Sequence, residues 1–334
     1  AAKKAISTLK QSSGHKEETL TKSDTTSNTS TSHLSEETIK SLQEDPLNTP
    51  LHMKLASPHR INDEDILSLL TENPQWTYAP NSNGELPLHF ACMNAHDGMD
   101  GVGGVSLTTL DTLVRLNPDA VRHCNTERSL PLHFLCMLGA PTVATVRLLL
   151  GVYPEAVLVQ SEMEVSFWVE SDSGDGDELE YCNGPGLGCC TGGAGFWNPL
   201  MYGGGVNGSS EREGGDGRAY RRVGEVGWSP LHLAVSNGAP AGVVKEILKH
   251  GCRMSQSPNS KGGNSCLRLK TSRGRTALQC AHDVFHKMVY ADNGLGVDER
   301  VNHDRLNNIK VIIALLEKVE DKNRIRDGRA RHKK

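Results

Sequence analysis

Apolar positions recur along this chain in one short pattern. Leu86-Pro87-Leu88-His89-Phe90-Ala91-Cys92 returns as Leu130-Pro131-Leu132-His133-Phe134-Leu135-Cys136, and again as Ser229-Pro230-Leu231-His232-Leu233-Ala234-Val235. Fainter copies stand at Thr49-Pro50-Leu51-His52 and at Thr276-Ala277-Leu278-Gln279-Cys280-Ala281. Proline suits the first position of a helix, where its missing N–H has no partner in any case. The hydroxyls of Thr49, Ser229 and Thr276 stand just before that position, where a cap accepts an orphan backbone N–H. Leu88, Ala91 and Cys92 then fall at i, i+3 and i+4, a narrow apolar stripe fit for close packing of a short helix. Leu86 and Leu130 replace the cap in the two central copies, and the cap bond is in doubt there.

A second helical pattern follows: Ile66-Leu67-Ser68-Leu69-Leu70, Val143 to Leu149, Val243 to Leu248 and Ile309 to Leu316. Asn73-Pro74, Asn117-Pro118 and Tyr153-Pro154 end three of the units, because proline bars the α conformation at the residue before it. At His250-Gly251 the stop reads instead as a left-handed glycine ending.

Helix–loop–helix units opened by Thr-Pro-Leu-His resemble ankyrin repeats, and the likeness extends over roughly half of the chain. Separations of 37, 44, 99 and 47 residues run between Leu51, Leu88, Leu132, Leu231 and Leu278. All exceed the family period of about 33, so the loops carry insertions. The resemblance implies an all-α ankyrin-repeat solenoid of about five helix–loop–helix units, two of them degenerate.

Residues 1–34 read as a disordered tail, with 14 Ser or Thr up to His33 and Ile6, Leu9 and Leu20 as the only large apolar side chains. Ser35, Glu37, Thr38, Ile39 and Leu42 suggest a short capping helix, and N-terminal repeats then run to 157. The segment 158–227 holds 17 of the 34 glycines and enters at an inter-repeat finger. Its start, Glu164-Val165-Ser166-Phe167-Trp168-Val169, alternates like a hairpin strand. Beyond Ser171 it reads as mobile loop. C-terminal repeats occupy 228–318, with smaller insertions at 252–270 and 285–304, and another at 94–106 lies within the N-terminal repeats. A charged tail, 319–334, ends the chain.

Composition narrows the function. A net charge of −4 leaves no overall footprint for nucleic acid. Nine cysteines in no pairing pattern favour a reducing compartment, cytoplasmic or nuclear. No apolar run approaches the roughly 18 residues of a membrane span. Ala1-Ala2-Lys3-Lys4 is not followed by an apolar run, so no secretory signal is expected.

Chemistry is sparse. His89 with Cys92, and His133 with Cys136, share a helical face, but structural zinc wants four clustered ligands. The resemblance instead makes each histidine a brace of its helix start and each cysteine a small buried residue. His282 and His286 lack the glutamate of a metalloprotease helix, and Gly203 to Gly208 satisfies GxGxxG with no strand before it and no helix after it. No nucleophile, base and oxyanion donor assemble. The expectation is therefore no enzyme, no cofactor, no metal and no small-molecule substrate. The alternatives are an enzyme or metal site within 158–227, and nucleic-acid association through the basic C-terminal tail.

A protein partner of unknown identity is the better expectation. Aligned residue by residue, the resemblance puts recognition positions at the finger tips Ser82, Asn83 and Glu85; Thr126, Glu127 and Ser129; Glu225, Val226 and Trp228; and Ser272, Arg273 and Arg275. The ends of the first helices add Met93 and Asn94, Met137 and Leu138, Ser236 and Asn237, and Asp283. The contact set taken from these is Glu85, Met93, Asn94, Glu127, Ser129, Met137, Leu138, Trp228, Ser236, Asn237, Arg273 and Arg275. Met93, Met137 and Trp228 are its expected anchors, since methionine and tryptophan are enriched at interface cores.

Overall fold

A computed structural model of the chain describes residues 45–56, 62–95, 104–170, 211–213, 219–254, 266–291 and 299–331. Five helix pairs follow one another: α1 (Pro50–Ala56) and α2 (Asp63–Glu72), α3 (Pro87–Met93) and α4 (Leu107–Leu116), α5 (Pro131–Met137) and α6 (Val143–Val152), α7 (Pro230–Ser236) and α8 (Ala241–Met254), α9 (Ala277–Ala291) and α10 (Glu299–Arg331). The first helices of consecutive pairs pack on one another, and so do the second helices. The first helices form an inner row and the second helices an outer row.

An inner helix meets a neighbour on each side and an outer helix behind, so more than one stripe is buried. All seven residues of α3 are buried, from Pro87 to Met93. A helix that is apolar all round belongs inside, and each large side chain so buried contributes about 1.5–3 kcal/mol. The caps divide as their residues dictate. Ser229 Oγ accepts from His232 N at 3.4 Å and Thr49 Oγ1 from His52 N at 3.4 Å, whereas Leu86 and Leu130 make no side-chain cap bond.

Proline ends the first three outer helices and opens a 3-10 turn at once, over Pro74–Tyr78, Pro118–Arg122 and Pro154–Leu158. The left-handed stop expected at Gly251 is corrected: α8 runs through it to Met254, and Gly251 has no positive φ. No proline stands there to stop the helix. The glycine leaves room for Cys266, whose Sγ a side chain would strike.

Outer helices are stitched by polar contacts. Thr109 Oγ1 of α4 donates to Asp63 Oδ1 of α2 at 2.7 Å. Glu246 of α8, almost wholly buried, accepts from Arg147 of α6 at 3.1 Å and from Lys249 at 3.1 Å. The Arg147 guanidinium, ahead of Lys249, holds the Glu246 carboxyl down at about 2.

The array closes at its fifth pair in a legible way. Gln279 stands where each earlier unit has histidine; its Oε1 accepts the Thr276 amide at 2.8 Å, and the side chain is exposed. α10 then covers the end, burying Ile309, Ile312 and Leu316. The charged segment from 319 is not separate from this unit, for the helix continues to Arg331 with Arg324 bonded to Glu320 one turn back at 3.3 Å. Such i, i+4 pairs support a helix without a core beneath it. The split expected over 285–304 is narrower, since α9 extends to Ala291 and α10 begins at Glu299.

The large insertion carries a small antiparallel sheet. β1 (Val165–Glu170) lies beside β3 (Ala219–Glu225), and β2 (Glu211–Glu213) lies on the other side of β3. Val165 stands opposite Glu225 and Glu170 opposite Tyr220. β1 matches its sequence expectation. β2 and β3 correct the expectation of loop beyond Ser171: Ala219-Tyr220-Arg221-Arg222 has weak alternation and is a strand by pairing with β1. The expected tail and capping helix at 1–44, and the loop at 171–210 and 214–218, lie outside the described residues.

Candidate partner-binding face

Between consecutive units the chain makes a five-residue finger. In the first, Asn81 N donates to Glu85 O at 3.0 Å and Gly84 N to Asn81 O at 2.9 Å, with Gly84 at φ +72°. Asn81 Oδ1 accepts the amides of Asn83 and Glu85 at 3.0 and 2.8 Å. The second finger, Asn125–Ser129, repeats this geometry with Arg128 at φ +56° in the glycine's place. The fourth, Thr271–Arg275, uses Thr271 Oγ1 and Gly274 at φ +79°.

The third finger is interrupted without being lost. Gly227, at φ +84°, donates to Ser161 O at 2.8 Å, and Ser161 N donates to Trp228 O at 2.9 Å. Ser161, Gly227 and Trp228 are thus its first, fourth and fifth positions, and the whole insertion replaces the tip. Adjacent fingers are bonded into a row by Thr126 N to Asn83 O at 2.9 Å, Glu162 N to Glu127 O at 2.7 Å and Ser272 N to Val226 O at 2.8 Å.

Four histidines brace these fingers from behind. His52, His89, His133 and His232 each accept the amide of the residue opening their helix at Nδ1, at 3.1, 3.0, 3.0 and 3.4 Å. Nε2 then donates forward: to Glu85 O at 3.2 Å, Ser129 O at 3.3 Å, Val159 O at 3.2 Å and Arg275 O at 3.2 Å. Burial keeps the rings neutral, pushing His52, His133 and His232 down to about 4 and His89 to about 3. Both nitrogens of His89 and His133 are therefore occupied. Burial also pushes the Cys92 and Cys136 thiols up, the latter to about 12, so neither face offers a thiolate ligand.

Much of the expected contact set turns inward. Trp228 is 1% exposed and donates its indole N–H to Glu225 O at 2.9 Å. Arg275 lies over that ring with its guanidinium carbon 5.3 Å from the centroid, is held by the buried Glu225 carboxylate, and reaches Asp283 Oδ2 at 3.2 Å. Glu85 is buried, with Oε2 accepting from Asn81 Nδ2 at 3.0 Å, and Ser129 is buried against Ser161 with their hydroxyls 2.5 Å apart. Met93 is buried, as is Asn94, which donates to Leu55 O at 2.8 Å. Asn237, half-buried, makes the same bond to Cys136 O at 2.9 Å.

Glu127, Met137, Leu138, Ser236 and Arg273 remain partly open to solvent. Trp228 and Met93 are thus corrected from surface anchors to core residues. Their apolar area is buried against this chain's own neighbours. Sequence reasoning also missed Gln160, whose Nε2 ties Gly227 O to Lys270 O at 2.5 and 2.8 Å, because nothing local marks a glutamine as a bridge between fingers.

Stacked helix pairs joined by a hydrogen-bonded row of fingers define a repeat protein. Residues 226–253, spanning Trp228, all of α7 and most of α8, match the family model of the ankyrin repeat. The chain carries an ankyrin repeat there, and the same finger geometry recurs between its other units. A search of curated proteins returns no match. No helix among the described residues is long and apolar enough to cross a membrane.

Proposed function

We propose that this protein is a non-catalytic adaptor or scaffold that holds another protein across its finger tips and inner-helix ends. The observation carrying this reading is the bonded row of fingers, which fixes the tips relative to one another while Ser82, Asn83, Thr126 and Ser272 stay exposed. Ankyrin repeats in general form protein-binding modules, and a row of rigid tips lowers the ordering cost of association. Met137 and Leu138, half-buried at the end of α5, supply apolar area beside that row. The reading includes a reducing intracellular compartment, supported by free thiols at Cys92, Cys136, Cys266 and Cys280. Photo-crosslinking groups at Thr126 and Ser272 should capture the same partner, and a group at Lys245 on the outer row should not. Capture from Lys245 alone would overturn the reading.

A further inference from the structure

Among the described residues, no cation pairs with the Glu127 carboxylate of the second finger. Glu127 is half-buried, its Oε2 is shut off from solvent, and no described residue donates to that oxygen. Burial alone acts on the group and raises its pKa from the ordinary value. The other acids around the fingers are answered. Glu85 accepts from Asn81, Glu225 and Asp283 share Arg275, and Glu162 takes the neighbouring Arg128 at 2.9 Å. Arg128 thus turns away from Glu127 toward the insertion.

Glu127 is also held in place. Its N–H donates to Asn125 Oδ1 at 3.1 Å, its carbonyl accepts from Glu162 N at 2.7 Å, and Thr126 before it is bonded to the first finger. A partly desolvated carboxylate on a fixed backbone is suited to a strong charge-assisted bond, because little ordering or further desolvation remains to oppose it. Residues 171–210 of the insertion contain five acidic side chains and no Lys, Arg or His, while its arginines stand at 212, 218, 221 and 222, with Arg222 and Arg221 three and four positions along β3 from the Val165–Glu225 pair nearest the fingers.

Resting on the finger face as a protein-binding surface, we propose that Glu127 determines its specificity by receiving a Lys or Arg side chain from a second protein laid across the second finger. Charge complementarity selects that occupant.

The test selects a random-peptide phage library on the full chain, then measures the affinities of the selected peptides. The expected result is a shared Lys or Arg whose replacement by Met weakens binding about tenfold to the wild-type chain and hardly at all to Glu127→Gln. The peptide-side replacement leaves the protein untouched, so a folding defect in the variant cannot mimic the result. Peptides that lose affinity with Met137→Arg but carry no required cation, or lose it equally against Glu127→Gln, would overturn this proposal and leave the binding face standing. Peptides indifferent to Met137→Arg and to Glu127→Gln would overturn both. A basic peptide displaced by the chain's own residues 1–44, added in trans, would also overturn it, by making the occupant internal.

Discussion

Gly227 donates its amide to the carbonyl of Ser161 at 2.8 Å although the entire insertion lies between them. The bond is the one that Gly84 makes to Asn81 and Gly274 makes to Thr271 inside unbroken fingers. An insertion that leaves and returns at hydrogen-bonded positions of one finger keeps that finger's turn, while its ends lend Glu162, Glu225 and Val226 to the row. It also displaces the tip of the middle finger, so the first two fingers and the fourth flank a small sheet.

Replacing 162–226 by a two-residue tip should leave a folded array, less stable by the loss of the buried Met163, Val165 and Glu225. Helical content by circular dichroism is expected to persist in the repeats, because loop length affects stability only weakly. Collapse of the helical signal would mean that the repeats cannot fold without the insertion.

Trp228→Ala should destabilise the chain by about 3–5 kcal/mol, the usual cost of removing a large aromatic side chain from a packed site. The indole is 1% exposed beneath Arg275, so its loss also leaves that guanidinium without its ring. Urea denaturation measures the shift. An unchanged midpoint would show the indole to be a surface group after all. Met137→Ala, at a half-buried position, should cost less, and any loss of partner binding in that variant should come without unfolding.

Acid should loosen the array between about pH 6.5 and 4. The folded-state values of His52, His133 and His232 near 4, and of His89 near 3, lie below the ordinary value of 6.5. The folded protein then binds fewer protons than the unfolded chain across that window. Stability is complete above pH 6.5 and falls as the pH drops toward the folded values. Glu246, held at about 2, acts in a lower window, below its ordinary 4.5. Denaturant midpoints measured from pH 7.5 to 4.5 should decline, and His89→Gln should reduce the slope. A flat profile would contradict the neutral, doubly bonded state of these rings.

Partner capture by Thr126 and Ser272, together with the charge removal at Glu127, completes the set of measurements. Each separates a fold defect from a binding defect, which the buried members of the expected contact set would confound.

What the chain's local order determined was where elements begin and end. Pro87, Pro131 and Pro230 open inner helices, and Pro74, Pro118 and Pro154 end outer ones, because proline's fixed φ and its clash with the preceding residue act within a few bonds. The strand at Val165 belongs to the same class. Burial is another matter, since it depends on segments far apart in sequence. Trp228 reads as an exposed tip residue until Glu225, at the end of β3, and Arg275, in the next finger, close around it. Gly251 reads as a stop until Cys266 comes against α8, and Asn94 reads as a contact until Leu55 of the preceding unit offers its carbonyl. Local sterics are complete in the sequence; which side of a residue meets water is decided only when its distant neighbours arrive.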